Sequence, residues 1–231
     1  MKGAVNAAPD FLISKGDIMS KVILFQGDSI TDGNRLRDNE WDLNHQMGHG
    51  YAYIVNGTLG VKYPEKNLKF VNKGISGNRV SDLYDRWTED TLRINPDILS
   101  ILIGANDCEQ LRWHGNGSEP ARYEKIYRML LDDAKKNNPD IKFVIIEPFG
   151  LPVGERAEKP EEFLSLLRGY QEASKRVAED YGAVFVPLQE KFNELSEEYS
   201  PDYWIWDGIH PTVCGHQIIA EAWMEKCKHL I

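Results

Sequence analysis

The chain has few cysteines and no long hydrophobic run. Its 231 residues include 3 cysteines, Cys108, Cys214 and Cys227, an odd number without the spacing of metal ligands. No disulfide framework can be read from this pattern, and a reducing compartment is weakly favoured. No apolar stretch approaches the roughly 20 residues that a membrane-spanning helix needs, so the sequence excludes that class of protein.

The features of a secretory signal are also missing near the start of the chain. The apolar run at residues 11–13 is too short for the core of a signal peptide, and charged residues flank it closely. We therefore expect a cytoplasmic protein. We interpret residues 1–20 as an N-terminal extension, either native or added for expression, and residues 21–231 as one domain.

Positive charge is in the minority. Lys and Arg number 27 against 36 Asp and Glu, which gives a formal net charge of −9. Such a field repels phosphate backbones and anionic membrane surfaces, so neither nucleic acid nor membrane is an expected partner. A neutral small molecule does not feel this charge and is the simplest substrate to expect. Hydrophobic residues make up 42% of the chain, enough for a sizeable core.

Short apolar runs alternate with helical patterns along the chain. We predict strands at 22–25, 68–71, 98–103, 143–146 and 183–186, and helices near 50–61, 80–93, 120–137, 160–181 and 212–229. Continuous apolar strands separated by helices are typical of a parallel sheet with helices on both faces. The prediction is an α/β protein, a three-layer α/β/α sandwich with a five-stranded parallel sheet.

Four short motifs contain residues suited to hydrolytic chemistry: Gly27-Asp28-Ser29, Ser76-Gly77-Asn78, Gly104-Ala105-Asn106-Asp107 and Asp207-Gly208-Ile209-His210. The first three follow predicted strands, and the fourth precedes the last predicted helix. Ligands of a parallel sheet bind outside the carboxyl ends of the strands. We therefore expect the four motifs to meet at that edge, although each motif alone is equally compatible with an ordinary turn.

Ser29 and His210 are the candidate nucleophile and base. A serine hydroxyl is a poor nucleophile at neutral pH and needs an adjacent base, which is most often histidine. Asp207 stands three residues before His210 and can accept the second ring proton, which fixes the tautomer and stabilises the imidazolium. Asp28 is better explained as a residue that stabilises the turn by accepting backbone N–H groups.

The ordered set of motifs resembles the SGNH branch of the GDSL esterases and lipases, over about residues 22–225. The resemblance implies the flavodoxin-like SGNH hydrolase fold, chemistry without a metal or cofactor, and a Ser29–His210–Asp207 triad. It also implies an oxyanion hole made of the backbone N–H groups of Ser29 and Gly77 and the side-chain amide of Asn106. Such donors stabilise the charge that forms when an ester carbonyl is attacked.

Longer blocks at 71–78, 86–90 and 206–211 look like the bacterial carbohydrate esterases, nearest to the intracellular acetyl-xylan esterases. This resemblance implies a serine esterase that removes acetyl groups from carbohydrates, with xylo-oligosaccharides as the first candidates. Asp28, Asn78 and Trp206 are candidate substrate contacts. Relatives commonly self-associate, so a homo-oligomer is one expected state.

Aromatic residues give independent support for a sugar substrate, because flat apolar rings suit the C–H faces of sugars. The chain has 6 tryptophans, a high number for its length. Trp41, Trp113, Trp204 and Trp206 fall in predicted loops, and Trp206 beside Asp207 is the best candidate for a sugar contact. Trp87 falls in a predicted helix and is expected in the core.

Three alternative functions stay open. A lysophospholipase or acyl-thioesterase of the same family would need an extended apolar groove, and the loops have no surplus of apolar residues. A carbohydrate-binding protein that kept the fold and lost catalysis is disfavoured, because every proposed catalytic residue is present. A sugar O-acetyltransferase would use the same residues. His45 and His49 are four apart, but Gly48 and Gly50 flank His49 and no third ligand is evident, so we predict no metal site.

Overall fold

The computed structural model describes residues 20–37 and 43–231. The strands, in chain order, are β1 Val22–Gly27, β2 Lys69–Asn72, β3 Ile98–Leu102, β4 Lys142–Ile146 and β5 Val184–Val186. All four strand pairs are parallel, and the order across the sheet is β2-β1-β3-β4-β5. The connections therefore change direction between β1 and β3, which is the place where sheets of this kind bind ligands.

Helices connect the strands. The α-helices are α1 Ser29–Asp32, α2 Leu43–Gln46, α3 Tyr51–Lys62, α4 Val80–Asp85, α5 Ala105–His114, α6 Pro120–Asn137, α7 Pro160–Asp180, α8 Gln189–Glu198, α9 Pro201–Trp204 and α10 Val213–Cys227. Short 3₁₀ turns lie at Pro64–Lys66 and Gly154–Ala157, and a π turn lies at Thr88–Leu92. Proline starts α6 and α7, where its missing N–H costs no hydrogen bond.

Successive side chains of β1 point to opposite faces of the sheet and contact its two helical layers. The Phe25 ring packs against Tyr51 of α3 and Trp223 of α10, with ring centroids 5.7 and 5.6 Å apart. The next side chain, Gln26, donates from Nε2 to Thr91 Oγ1 over 2.8 Å. Helices α3 and α10 thus cover one face, and α4, α6 and α7 cover the other.

The centre of the sheet is buried on both faces. Every residue of β3 is buried, and so is every residue of β1 after Val22. Trp87 is 2% exposed, and its Nε1 donates to the Leu130 carbonyl over 3.0 Å. The predicted core position of Trp87 is therefore confirmed, and its one polar atom has a partner, as a buried indole requires.

The structure confirms the predicted α/β/α sandwich with a five-stranded parallel sheet. The predicted helical stretch near 80–93 is helical in the structure but divided, because α4 ends at Asp85 and the chain continues in the π turn. In that turn the Asp90 carbonyl and the Thr91 hydroxyl both accept from the Gln26 amide, over 2.9 and 2.8 Å. The π turn thus supplies two acceptors for the buried Gln26 amide nitrogen, a requirement that hydrophobic periodicity does not encode.

Helices α5 and α8 are missing from the sequence prediction. The buried residues of α5 include the carboxylate of Asp107, so this helix has no continuous apolar stripe. Helix α8 has only 10 residues, of which Phe192 alone is fully buried, so its apolar pattern is short. The predicted loop positions of Trp113 and Trp204 are wrong, because these residues lie in α5 and α9.

Part of the predicted organisation falls outside the described residues. This applies to Trp41 and to all but the last residue of the expected extension at 1–20. The division of the chain into an extension and one domain therefore stays a prediction.

We predict opposite stability effects for two Gly→Ala substitutions. A Cβ at Gly74 would lie 2.4 Å from the backbone nitrogen of Asp32, so Gly74→Ala should lower the free energy of unfolding by about 1–3 kcal/mol. Gly57 is exposed in α3, and its Cβ position has no atom of the described residues within 4 Å, so Gly57→Ala should raise the free energy of unfolding by roughly 0.5–1 kcal/mol. Urea unfolding measures both, and equal changes would contradict the packing described here.

Candidate active site

Ser29 lies directly after the carboxyl end of β1. Asp28 precedes α1 and accepts the backbone N–H of Ile30 at its Oδ1 over 3.0 Å, which makes Ser29 the first residue of this short helix. The turn needs glycine at position 27, because a Cβ there would lie 2.4 Å from both the Leu102 carbonyl and the Thr31 hydroxyl. The close packing of β1 against β3 thus fixes the position of the backbone that carries the Ser29 side chain.

The structure brings Ser29, His210 and Asp207 into contact. Ser29 Oγ and His210 Nε2 are 2.8 Å apart, and His210 Nδ1 and Asp207 Oδ2 are 2.7 Å apart. Asp207 Oδ1 also accepts the backbone N–H groups of Ile209 and His210, over 2.9 and 2.7 Å. One carboxylate therefore orders both the backbone of its loop and the histidine ring.

The loop geometry also depends on Gly208. This residue has a φ of 95°, a region that glycine adopts without strain. A Cβ at Gly208 would lie 2.6 Å from the Leu151 carbonyl, and the Gly208 carbonyl accepts the Leu151 N–H over 2.9 Å. The Asp207–His210 loop is thereby packed against the segment that follows β4.

The charges of the pair stabilise each other. The hydrogen bond to Asp207 raises the pKa of His210 above its ordinary value, against the effect of partial burial. Burial alone would raise the pKa of Asp207, but hydrogen bonds from the His210 ring and from two backbone N–H groups lower it to about 2. Asp207 is therefore a carboxylate at neutral pH, and with Nδ1 donating to it, a neutral His210 ring presents a bare Nε2 to Ser29.

The two other predicted oxyanion donors lie on the neighbouring loops. Gly77 is exposed with a φ of 84°, and no atom of the described residues lies within 4 Å of its Cβ position. Asn106 stands in the first turn of α5, and its Nδ2 donates to the Asn78 carbonyl over 3.1 Å. A side-chain amide has two N–H groups, so one remains for a ligand. The Ile75 N–H bonds the Gly27 carbonyl over 3.0 Å and joins these loops to the serine turn.

Asp28 and Asp107 lie beneath the site. Asp28 is 1% exposed, and Asp107 is fully buried with its Oδ2 accepting the Val80 N–H over 2.9 Å. Burial raises the pKa of Asp28 to about 6 and that of Asp107 to about 7. The predicted substrate contact of Asp28 is corrected on this ground, since its side chain offers no surface. The hydrogen bond from the Ile30 N–H supports the other predicted role of Asp28, which is to stabilise the turn.

The other two candidate contacts differ in exposure. Asn78 is partly buried, and its Oδ1 accepts from Arg86 Nε over 2.8 Å. Trp206 is 59% exposed, and its ring stacks on the His210 ring with centroids 5.8 Å apart and planes 21° apart. Trp206 therefore has one face on the His210 ring, and no described residue stacks on its other face, which is open to a ligand.

A cavity of about 250 Å³ opens beside Ser29 and His210, and its wall includes His49, Ser76, Trp206 and His216. A larger cavity of about 350 Å³ lies near Asn72, but its described lining residues include no serine or histidine. Size alone would not select the smaller one. The chemistry of the lining residues identifies the smaller one as the candidate active site.

Two side chains that the sequence analysis missed connect the Asp207 loop to α5. Arg156 Nη1 donates to the Asp207 carbonyl over 2.6 Å, and its Nη2 donates to Glu109 Oε2 over 2.7 Å. Trp113 Nε1 donates to the same Glu109 oxygen over 3.0 Å. Glu109 follows Asn106 by one turn, so this ion pair joins the Asn106 helix to the Asp207 loop. No spacing in the sequence signals it, because Arg156 is 47 and 51 residues from its partners.

Two negative observations concern residues 20–37 and 43–231. Within these ranges, no group of three or more His, Cys, Asp or Glu side chains is arranged to hold a metal ion. Over the same ranges, none of the helices combines the length and apolar character needed to cross a bilayer.

Comparisons with known proteins agree with this geometry. The model of the GDSL-like lipase/acylhydrolase family matches residues 25–218. An acetylxylan esterase from Geobacillus stearothermophilus is 35% identical over 213 residues, which cover 88% of this chain and 92% of that protein.

Solved structures give the same result. A structure described as a GDSL-like lipase from Parabacteroides merdae is 36% identical, with a TM-score of 0.85 over 92% of this chain and 99% of that one. The crystal structure of Axe2, an acetylxylan esterase from Geobacillus stearothermophilus, is 34% identical, with a TM-score of 0.78 over 90% of this chain and 95% of that one.

The fold and these relatives define the class of protein: the chain is a carboxylic ester hydrolase that acts on acyl esters. It belongs to the GDSL-like lipase/acylhydrolase family, whose model covers most of its length. The predicted resemblance and the predicted SGNH-type fold are both confirmed.

We expect the His210 ring to titrate above the ordinary histidine value of about 6.5. Because the Asp207 charge favours the imidazolium, Asp207→Asn should lower the pKa of His210. Asp140 is exposed and precedes β4 at the other end of the sheet, so Asp140→Asn should leave that pKa unchanged. NMR titration of the histidine ring protons measures all three, and a His210 pKa that Asp207→Asn does not lower would contradict the assigned contact.

Proposed function

We propose that this chain is a serine esterase that removes short acyl groups, chiefly acetyl, from carbohydrates by way of an acyl-enzyme. The observation that supports it most is the pair of contacts at His210, 2.8 Å to Ser29 Oγ and 2.7 Å to Asp207 Oδ2. A histidine between a hydroxyl and a carboxylate is the arrangement that activates a serine nucleophile.

In the proposed first half-reaction, Ser29 Oγ attacks the acyl carbon while His210 Nε2 takes the hydroxyl proton. The carbonyl oxygen becomes an oxyanion, which accepts from the backbone N–H groups of Ser29 and Gly77 and from the Asn106 amide. Asp207 stabilises the imidazolium that forms. His210 then protonates the leaving alcohol, the bond to that alcohol breaks, and the acyl group remains on Ser29.

The second half-reaction repeats these steps with water. His210 takes a proton from a water molecule, which attacks the acyl carbon, and the same donors hold the second oxyanion. The bond to Ser29 Oγ breaks, and His210 returns the proton to the serine. Free carboxylic acid leaves, and the enzyme regains its starting state. No metal or cofactor is required for any step.

Three features support a small acylated sugar as the substrate. The cavity beside Ser29 measures about 250 Å³ and includes the polar side chains of His49, Ser76 and His216. The free face of Trp206 can stack on a sugar ring, and Asn78 is a second candidate contact. Relatives named as acetylxylan esterases are 35% and 34% identical, which favours acetylated xylo-oligosaccharides.

The alternatives differ in what the cavity must hold. A lysophospholipase or acyl-thioesterase would need an apolar groove for a long chain, whereas the cavity beside Ser29 is small and has a polar wall. A binding protein without catalysis would have no use for the Ser29–His210 contact. A sugar O-acetyltransferase would share the acyl-enzyme and differ in the acceptor that takes the acetyl group.

We expect Ser29→Ala to lower the turnover of p-nitrophenyl acetate by roughly 10⁶-fold, because the nucleophile is lost. The matched control is Ser165→Ala, at an exposed position of α7, which should retain the wild-type rate. A fluorophosphonate probe should label the wild type and the control at Ser29 and leave Ser29→Ala unlabelled. Circular dichroism checks that each variant is folded. Near-normal turnover by Ser29→Ala would rule out this nucleophile.

We also expect kcat/KM to be highest for the two-carbon acyl group and to fall along a series of p-nitrophenyl esters from acetate to octanoate. The physical reason is the small volume beside Ser29, which leaves a long acyl chain in water. The series is measured by release of p-nitrophenol. A maximum at medium or long chains would favour the lysophospholipase or thioesterase alternative.

A further inference from the structure

His216 lies in the same cavity wall as the proposed catalytic residues. Helix α10 begins at Val213, three residues after His210, and His216 stands in its first turns. The side chain is mostly buried and lines the 250 Å³ cavity together with Ser29, His210 and Trp206. None of the steps proposed above uses it.

One ring nitrogen of His216 is already occupied. The backbone N–H of Tyr51, the first residue of α3, donates to His216 Nδ1 over 3.2 Å. A nitrogen that accepts a hydrogen bond has no proton, so a neutral ring must hold its proton on Nε2. The start of α3 therefore fixes the tautomer of a residue on α10.

The ring also stays neutral. Burial, followed by the nearby His49 and His210, lowers the pKa of His216 to about 4. At neutral pH it therefore neither takes a proton from Ser29 nor adds a charge beside His210. Its Nε2–H has no hydrogen-bond partner in the part of the chain that the structure describes. The residue that carries this neutral Nε2–H donor, His216, is part of the cavity wall.

A glycine makes this placement possible. Gly50 precedes α3, and a Cβ there would lie 3.1 Å from His216 Cε1 and 3.3 Å from Nδ1. A larger residue would press on the ring and lengthen its bond to the Tyr51 N–H. Helix α3, helix α10 and Gly50 together hold the donor in one orientation.

We propose that His216 is a substrate-positioning residue whose Nε2–H binds an oxygen atom of the alcohol part of the ester. This inference rests on the proposed function, in which Ser29, Gly77 and Asn106 already supply the donors for the acyl oxygen. A sugar hydroxyl or ring oxygen beside the cleaved bond is the matching acceptor. The interaction distinguishes sugar esters from simple aryl esters, which have no oxygen at that place.

Two substitutions separate this role from a structural one. In His216→Asn, the amide oxygen takes the place of Nδ1 and keeps an acceptor for Tyr51, but nothing replaces Nε2–H. In His216→Gln, the amide nitrogen reaches the place of Nε2 and restores a donor. His229→Asn is the matched control, because this histidine is exposed and follows the end of α10.

The measurement is the ratio of kcat/KM for acetylated xylobiose to kcat/KM for p-nitrophenyl acetate. We expect His216→Asn to lower this ratio about tenfold, mainly through KM of the sugar ester, as the loss of one neutral hydrogen bond would. His216→Gln should recover most of the ratio, and His229→Asn should keep the wild-type ratio. Acetylated manno- and chito-oligosaccharides, followed by mass spectrometry, take the place of xylobiose if the wild type prefers them.

A second measurement does not depend on turnover. In Ser29→Ala, which binds without reacting, ¹⁵N NMR of the histidine rings should show the Nε2–H tautomer for His216. Its signals should shift when acetylated xylobiose is added, and p-nitrophenyl acetate should not produce the same shift. An Nδ1–H tautomer, or signals that do not respond to the sugar ester, would overturn the proposal.

The two proposals fail in different ways. A wild-type protein that hydrolyses no acetyl ester would overturn the proposed function. A wild-type protein with normal turnover, in which His216→Asn leaves the ratio unchanged or lowers both rates alike, would overturn the role of His216 and leave the esterase assignment intact.

Discussion

The carboxylate of Asp207 is the group on which the geometry of the site depends. One oxygen accepts two backbone N–H groups of its own loop, and the other accepts the His210 ring. These bonds keep the carboxylate ionised and set the ring angle toward Ser29. The backbone carbonyl of the same residue accepts from Arg156, whose second nitrogen bonds Glu109 on α5. The loop with His210 and the helix with Asn106 are therefore joined through Arg156.

Carboxylates of the same type have different roles here because their surroundings differ. Asp28 and Asp107 are enclosed, each has one oxygen without a hydrogen-bond partner in the described residues, and burial raises the pKa of both. Asp207 is only partly buried, and both of its carboxylate oxygens accept hydrogen bonds, one from the loop backbone and the other from the His210 ring. A similar contrast separates His210 and His216 in the cavity wall. The hydrogen bond to a carboxylate raises the pKa of His210, whereas burial lowers the pKa of His216.

Hydrophobic patterning and motif order predicted the sheet, its five strands and the convergence of Ser29, Asp207 and His210. These features follow from local rules, since buried strands are continuous apolar runs and strand-end turns meet at one edge. Helix α5 was not predictable in this way, because it buries Asp107 and lacks an apolar stripe. Arg156 and His216 were missed for another reason: their partners are 51, 47 and 165 residues away, and only the folded chain brings them together.

The contact between Ser29 and His210 joins positions that are 181 residues apart. The ribosome adds Ser29 long before His210, so a nascent chain has the serine turn before it has the proposed base. In the proposed mechanism, activity therefore requires a late step, in which the segment with Asp207 and His210 docks on a sheet whose strands have already been synthesised.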